Sequence, residues 1–348
     1  MHSTHQHGVC SIVPPYVLRA IAAQGGRAGA RTLLHDDAVR TLRAARAPGR
    51  DAPPVVAATR PHKDRTVSDA RNQMRVPGTV VREEGDEPTG DDAVDEAYDG
   101  TGATFDLYWE QFERDSIDGA GLPLRSTVHY GRDYDNAFWD GSQMIFGDGD
   151  GVVFNRFTIA VDVIGHELTH GVTDHLAALE YRGQSGALNE SVSDVFGSIV
   201  KQYGLDQTAA EADWLVGAGL LADGIDGVAL RSMKAPGTAY DDPALGGRDP
   251  QPATMEDYVE TQDDDGGVHI NSGIPNRAFY LAATAFGGPA WERAGQIWYA
   301  TLADPRLSST ATFAAFAART VANAADVLDD VAAEIVREAW GEVGIVVR

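Results

Sequence analysis

The sequence has a single cysteine, no long apolar run and no Lys or Arg near its start, and each of these scarcities excludes a class of protein. Its 348 residues include one cysteine, which excludes an internal disulfide. No apolar run approaches the roughly 18 residues that a membrane-spanning helix needs. The first eighteen residues contain no Lys or Arg, and Pro14 and Pro15 interrupt the apolar stretch 9–18, so we expect no Sec signal peptide. We therefore expect a cytoplasmic protein, or one exported by a non-classical route with action outside the cell.

Basic residues are also scarce, and they are concentrated at one end. The formal net charge is −24, yet residues 1–75 carry 12 Lys and Arg against 5 Asp and Glu, whereas the remaining residues carry 16 against 47. An acidic body argues against nucleic acid and anionic membranes as partners. Two interpretations of the basic end stay open: it docks onto the acidic body by charge attraction, or it is simply a soluble Arg-rich helix.

The remaining composition is typical of a soluble protein with two domains, at 43% hydrophobic and 23% charged residues. Alternation and turn signals predict strands in the first half, with one long helix between them. Helical patterns dominate the second half. We therefore expect an α+β protein whose strand-rich N-terminal domain is separated by a cleft from an all-helical C-terminal domain. Predicted strands cover 75–84 and 124–136, and predicted helices cover 89–117, 189–203, 274–286, 290–303, 309–323 and 327–341.

The first 65 residues, called here the N-terminal segment, differ from the rest. Its prolines predict an extended course for residues 9–18, and residues 35–47 are predicted to be helical. Residues 52–65 are rich in Pro and Ala and read as a linker and cleavage zone. Arg60, Lys63 and Arg65 are the candidate cleavage positions.

The stretch 161–171 contains the pattern His-Glu-x-x-His, formed by His166, Glu167 and His170. In a helix the two histidines project from one face about one turn apart, which suits two nitrogens on one zinc ion. Glu167 is offset by about 100°, so its carboxylate can accept a proton from a zinc-bound water. The alternative for the pattern alone is an ordinary amphipathic helix with two partly buried histidines.

A third zinc ligand is offered by Glu190, twenty residues after His170. A catalytic zinc needs three protein ligands and an open fourth position. Asp194 follows Glu190 by one helical turn and can accept the outer N–H of a zinc histidine. Cys10 is a zinc ligand in principle, although a lone cysteine among apolar residues is usually packed.

Together these motifs resemble the thermolysin family of zinc metallopeptidases. The matching motifs are H-E-L-T-H at 166–170, N-E-S-V-S-D at 189–194 and G-G-V-H-I-N-S-G at 266–273, and residues 10–16 resemble the short propeptide of the protealysin branch. The resemblance implies a two-domain zincin fold with one catalytic Zn²⁺. It also implies a propeptide at 1–65, a mixed domain at 66–170 and a helical domain at 171–348.

The resemblance further implies a zinc-dependent neutral endopeptidase that is made as a latent precursor. Glu167 would be the general base for a zinc-bound water. His269 would hydrogen-bond the oxyanion, Asp264 would orient His269, and Tyr181 would be a second oxyanion donor.

Substrate-binding residues are implied in the same way. Asn136 and the Ala137 carbonyl would bind peptide backbone on an edge strand, and Arg231 would hold a substrate carbonyl. An apolar pocket predicts cleavage before Leu, Phe, Ile or Val. Its wall would be formed by Phe154, Phe157, Val163 and Leu230.

One departure from the family concerns calcium. Asp162 matches a position that binds structural calcium in many members, but the partner positions hold Lys201, Leu215 and Ala218. A cation and two apolar side chains cannot replace carboxylate oxygens around Ca²⁺. We therefore expect the usual double calcium site to be absent, with Lys201 paired to Asp162 instead.

The expected partners are peptide and protein substrates and the chain's own N-terminal segment, with a proteinaceous inhibitor as a further candidate. Two alternatives remain open. One is a catalytically silent zinc protein that binds peptides, which would have no need of a general base. The other is a zinc aminopeptidase, which needs acidic residues for the substrate amine; Asp263 and Asp265 are candidates, but their spacing does not favour them.

Overall fold

The fold is described from a computed structural model that covers residues 11–44 and 61–348, with only the helical backbone described for 37–44. Cys10 and Arg60 therefore lie outside the described residues. One continuous apolar cluster joins both halves of the described chain. In the described part of the chain, no helix combines the length and apolar character needed to cross a membrane.

The N-terminal segment contains two helices, α1 (Pro15–Ala23) and α2 (Arg27–Ala44). The expectation of an extended 9–18 is wrong from Pro15 onward, because proline is well suited to the first helical position, where its missing N–H costs nothing. Helix α2 also starts earlier than the predicted 35–47. On its inner face α1 buries Val17, Leu18 and Ile21 against the rest of the protein.

A five-stranded mixed sheet forms the centre of the first half, in the order β2-β1-β3-β5-β4. Only part of the predicted strand 75–84 forms, and β1 begins at Arg65, the last residue of the expected linker. Lys63 pairs with Asp106 and Arg65 pairs with Glu84, and both residues are half-buried rather than fully exposed. The strands are β1 (Arg65–Asp69), β2 (Thr79–Glu83), β3 (Leu124–Val128), β4 (Ala137–Trp139) and β5 (Met144–Phe146).

Two helices of this half carry the predicted patterns. Helix α3 (Asp92–Phe112) begins where the Asp91 side chain accepts the backbone N–H groups of Ala93 and Val94. Helix α4 (Val161–His175) contains the His-Glu-x-x-His pattern and is buried along almost its whole length. It therefore runs through the middle of the molecule.

The second half is helical apart from two short two-stranded sheets, which lie between 215 and 248. The first pairs β6 (Leu215–Val216) with β7 (Arg231–Ser232), and the second pairs β8 (Asp241–Asp242) with β9 (Gly247–Arg248). Strands of two residues leave no periodic signal in a sequence. The helices are α5 (Gly183–Gly204), α6 (Asp264–Asn271), α7 (Gly273–Phe286), α8 (Ala294–Ala303), α9 (Phe313–Val327) and α10 (Asp330–Glu342).

Helices α4 and α5 approach each other unusually closely because both have glycine at the crossing. A Cβ on Gly197 would collide with the carbonyl oxygen of Asp162, and a Cβ on Gly165 would lie 3.1 Å from the Gly197 Cα atom. This close packing brings the histidine face of α4 against α5.

Candidate metal centre

Helix α4 presents His166 and His170 on one face, with their Nε2 atoms 3.0 Å apart. From α5, Glu190 supplies carboxylate oxygens 3.6 Å from each of these Nε2 atoms. Three ligands at the bond lengths of a tetrahedral zinc site lie roughly 3.3–3.5 Å from one another. The spacing and the donor set of two imidazoles and one carboxylate therefore fit Zn²⁺. All three residues are buried.

The outer nitrogens of both histidines are held by side chains of α5. His166 Nδ1 lies 2.8 Å from Asp194 Oδ1, and His170 Nδ1 lies 2.8 Å from Asn189 Oδ1. These contacts orient both Nε2 atoms towards the Glu190 carboxylate, where a metal ion would be held. We had singled out Asp194 from the sequence but had given Asn189 no role; its position directly before Glu190 was the available signal.

Asp194 is fully buried and accepts hydrogen bonds from three residues. Besides His166, Arg231 donates from Nη2 to Oδ1 at 2.7 Å and from Nε to Oδ2 at 2.8 Å. Asn276 donates to Oδ2 at 2.8 Å and was also missed from the sequence. Although burial opposes it, the Arg231 charge holds the pKa of Asp194 well below its usual range.

Glu167 lies on α4 beside the two histidines and is fully buried. Its Oε2 atom accepts the backbone N–H of Trp139 at 3.0 Å. The carboxylate is therefore fixed between the edge strand β4 and the metal centre.

His269, Asp264 and Tyr181 converge on the same centre. His269 Nδ1 lies 2.6 Å from Asp264 Oδ1, and the His269 backbone N–H donates to Asp264 Oδ2 at 2.9 Å. The positive φ angles of Gly266 and Gly267 make the turn that folds His269 back onto Asp264. The Tyr181 hydroxyl donates to Glu190 and lies 3.2 Å from His269 Nε2.

The edge strand β4 and Arg231 are occupied by the chain's own N-terminal segment. The Ile12 N–H donates to the Ala137 carbonyl at 3.2 Å, and Arg231 Nη1 donates to the Ile12 carbonyl at 3.2 Å. The Asn136 side chain accepts the Val13 N–H at 2.9 Å and donates to the Val13 carbonyl at 3.4 Å. The structure thus brings the residues singled out for peptide binding, Asn136, Ala137 and Arg231, onto two consecutive residues of the N-terminal segment.

The four residues expected to form the apolar pocket belong to the same hydrophobic cluster as Ile12. These four wall residues are buried, and Ile12 itself is 0% exposed. The wall residues are Phe154, Phe157, Val163 and Leu230.

Lys201 forms the expected salt bridge with Asp162, at 3.1 Å. Its ammonium group also donates to the Leu215 carbonyl at 3.0 Å and pairs with Asp213 at 2.9 Å. Although burial opposes it, the charges of Asp162 and Asp213 raise the pKa of Lys201. A permanent cation therefore lies among two carboxylates and a carbonyl.

A buried carboxylate beside a His-His-Glu cluster, between a mixed domain and a helical domain, is the arrangement typical of zinc metallopeptidases. Comparison with known proteins gives the family. The thermolysin metallopeptidase catalytic domain matches residues 56–174, and the alpha-helical domain of the same family matches residues 177–345. The chain belongs to the thermolysin family, and it has the two-domain thermolysin-like fold.

Several relatives are close in sequence and structure. An extracellular metalloprotease of Pectobacterium carotovorum is 54% identical over 98% of this chain and 97% of its own length. Protease PrtS of a Photorhabdus strain is 54% identical over 82% of this chain and 77% of its own. The solved precursor of protealysin, a metalloproteinase from Serratia proteamaculans, is 55% identical, covers 97% of this chain and 99% of its own, and superposes with a TM-score of 0.87.

These relatives correct one expectation. From the missing Sec signal we expected a cytoplasmic protein or one exported by a non-classical route. Relatives from Pectobacterium carotovorum and Serratia marcescens are both named extracellular metalloproteases. They point to an exported protein, and a poor match to a signal-peptide pattern was the wrong basis for a statement about location.

Proposed function

We propose that the chain is a zinc-dependent neutral endopeptidase made as a latent precursor, acting outside the cell on bonds that precede bulky apolar residues. The observation that carries the proposal is the grouping of Glu167, Tyr181 and His269 around the His-His-Glu cluster. A protein that only binds peptides has no need of this grouping.

Zinc, when bound by His166, His170 and Glu190, supplies a Lewis acid that lowers the pKa of water and polarises a carbonyl. Glu167 accepts the proton of the attacking water and later delivers it to the leaving amine. Its contact with the Trp139 N–H orients the carboxylate for this task.

Tyr181 and His269 stabilise the negative charge that develops on the scissile carbonyl oxygen. Donors fixed in place before the reaction are worth about 3–4 kcal/mol each in comparable sites. Asp264 holds His269 by its Nδ1 atom and so directs Nε2 towards the reacting carbonyl. The Tyr181 hydroxyl and His269 Nε2 lie 3.2 Å apart, and this proximity supports a role for both at the same oxygen.

Substrate binds as an added strand on β4. Asn136 and the Ala137 carbonyl bind its backbone, and Arg231 holds the carbonyl of the residue after the cut. Phe154, Phe157, Val163 and Leu230 enclose that residue's side chain and exclude charged groups, because an unpaired charge in an apolar pocket is costly.

Latency follows from the N-terminal segment lying across the same cleft. Residues 12 and 13 use the hydrogen bonds that a substrate would use, so a substrate cannot bind until they leave. We propose residues 1–65 as the propeptide, with the mixed domain at 66–170 and the helical domain at 171–348. A proteinaceous inhibitor would have to use the same cleft.

The test is hydrolysis of a peptide blocked at both ends that contains a Gly-Leu bond. We expect cleavage before Leu by the zinc-loaded protein, loss of cleavage on zinc chelation, and little cleavage of a Gly-Asp analogue. An aminopeptidase would leave the blocked peptide intact yet cut a free-amine version, and a binding protein would cut neither. Either result would overturn the proposal.

A further inference from the structure

The N-terminal segment is bound in a defined direction along β4. Val13 forms a hydrogen bond with Asn136, and Ile12 forms one with Ala137. The segment and β4 therefore run in opposite directions. Continued in this direction, the segment runs from Ile12 back to Ser11 towards the Phe138 and Trp139 end of β4. Ser11 is itself buried.

That direction leads to the catalytic carboxylate. The Trp139 N–H is held by Glu167 at 3.0 Å. On the other side, Arg231 connects the Ile12 carbonyl to Asp194 and, through it, to the zinc histidine His166. The peptide bond on the N-terminal side of Ile12 is therefore the next bond along the segment in the direction of Glu167.

The side chain at this position has the required character. Ile12 is fully buried in the cluster that contains the four pocket residues. A branched aliphatic residue is the kind that an apolar pocket accepts. Pro14, two residues further along, has no backbone N–H. The N–H groups that donate hydrogen bonds here belong to Ile12 and Val13, so the proline does not interrupt them.

We propose that the Ser11–Ile12 peptide bond is a substrate of this site and the first bond that the protein cuts. The proposal rests on the proposed endopeptidase function. Water adds hydroxide to the Ser11 carbonyl carbon, the carbon–nitrogen bond breaks, and the proton taken up by Glu167 passes to the Ile12 nitrogen. The products are a Ser11 carboxylate and an Ile12 amine.

The first cut does not release the rest of the segment. Helix α1 stays buried through Val17, Leu18 and Ile21, and α2 keeps the contact between the Thr32 hydroxyl and the Asp135 N–H at 3.0 Å. The shortened chain therefore stays inhibited, and cleavage of added peptide begins only after a later cut.

The experiment follows the zinc-loaded full-length chain by intact mass spectrometry, with a blocked Gly-Leu peptide assayed in parallel. We expect a species beginning at Ile12 before peptide cleavage starts. Its rate should not change over a tenfold range of protein concentration, because the bond lies in the chain's own cleft. Glu167→Ala should stay full-length.

Two substitutions in the segment form a matched pair. Ile12→Asp should slow the first cut by at least about 100-fold, because a carboxylate has no partner in the pocket. Leu34→Asp makes the same kind of change at a side chain that is 73% exposed, and the cut should stay within about twofold of the wild-type rate. Ile12→Leu should preserve the cut.

Three results would overturn the proposal. They are a protein that cleaves the blocked peptide without ever producing the Ile12 species, a cut that persists in Glu167→Ala, and a cut whose rate rises in proportion to protein concentration. A protein that cleaves neither the blocked peptide nor itself would instead overturn the proposed endopeptidase function.

Discussion

Asp194 joins two tasks that a protease must coordinate. It orients the zinc histidine His166, and it holds the Arg231 guanidinium that binds the peptide carbonyl. Breaking a buried pair of this kind leaves an uncompensated charge and costs several kcal/mol. One carboxylate therefore fixes both the metal ligand and the peptide relative to each other.

Asp135 is a buried carboxylate at the junction with the N-terminal segment. Burial, with the nearby Asp150 and Asp133 charges, raises the pKa of Asp135 to about 8. Its backbone N–H donates a hydrogen bond to the Thr32 hydroxyl of α2. The folded precursor thus holds a proton at pH values where the unfolded chain has released it. The contribution of this group to stability is full below about pH 4 and is lost as pH rises towards 8.

We expect Asp135→Asn to stabilise the precursor at pH 8 by at least about 1 kcal/mol and to have little effect at pH 4. Urea unfolding of the Glu167→Ala precursor, which does not cut itself, measures this. Asp223→Asn, at an exposed position, is the control. Equal pH slopes for Asp135→Asn and the parent would show that Asp135 does not titrate in this range.

At the scale of elements, Lys201 ties the two metal-binding helices to each other and to strand β6. It reaches from α5 to Asp162 at the start of α4 and to Leu215 in β6. We infer that this cation, held by carboxylate and carbonyl oxygens, takes the place of the calcium ion expected from the family resemblance. We propose that the chain needs no calcium there.

Lys201→Ala should lower the free energy of unfolding by roughly 3 kcal/mol, because it leaves Asp162 buried without its cation. Lys234→Ala, at an exposed position, should change it by less than about 0.5 kcal/mol. A calcium chelator that leaves zinc in place should not alter the melting temperature of the parent. A clear fall in melting temperature would contradict the absence of a calcium site.

The elements differ in how far the sequence could predict them. Helix α4 was predictable because its ligand spacing and helical periodicity agree, and α3 was predictable from the capping Asp91. Strand β1 was missed because its residues follow a proline-rich stretch and include Arg and Asp. The contacts of Ile12 with Ala137 and Arg231 join residues far apart in the chain, and local patterns carry no information on such pairings.

At the scale of the whole molecule, a basic N-terminal segment lies on an acidic body. Arg31 of α2 pairs with Asp133 at 3.1 Å, and both side chains are about half exposed. Exposed pairs contribute little individually and are screened by salt. The buried contacts of α1 and of residues 12 and 13 supply the salt-independent part of the binding.

If charge attraction assists docking, binding of a separate 1–65 peptide to the mature enzyme should weaken between 0.05 M and 1 M NaCl. We expect roughly a tenfold increase in Kd, measured by inhibition of blocked-peptide cleavage. A peptide with Arg31→Ala should depend less on salt. A Kd that does not change with salt would support the alternative, that the Arg-rich helix is simply soluble.

The most direct test of the central claim is a time course of the purified full-length chain on a blocked Gly-Leu peptide, with N-terminal sequencing of the protein at each point and Glu167→Ala alongside. We predict that cleavage of the peptide begins as the N-terminus moves into residues 50–75, while Glu167→Ala stays inactive and does not mature. A zinc-loaded protein that loses its N-terminal segment and still cuts no peptide would contradict the account of a latent zinc endopeptidase.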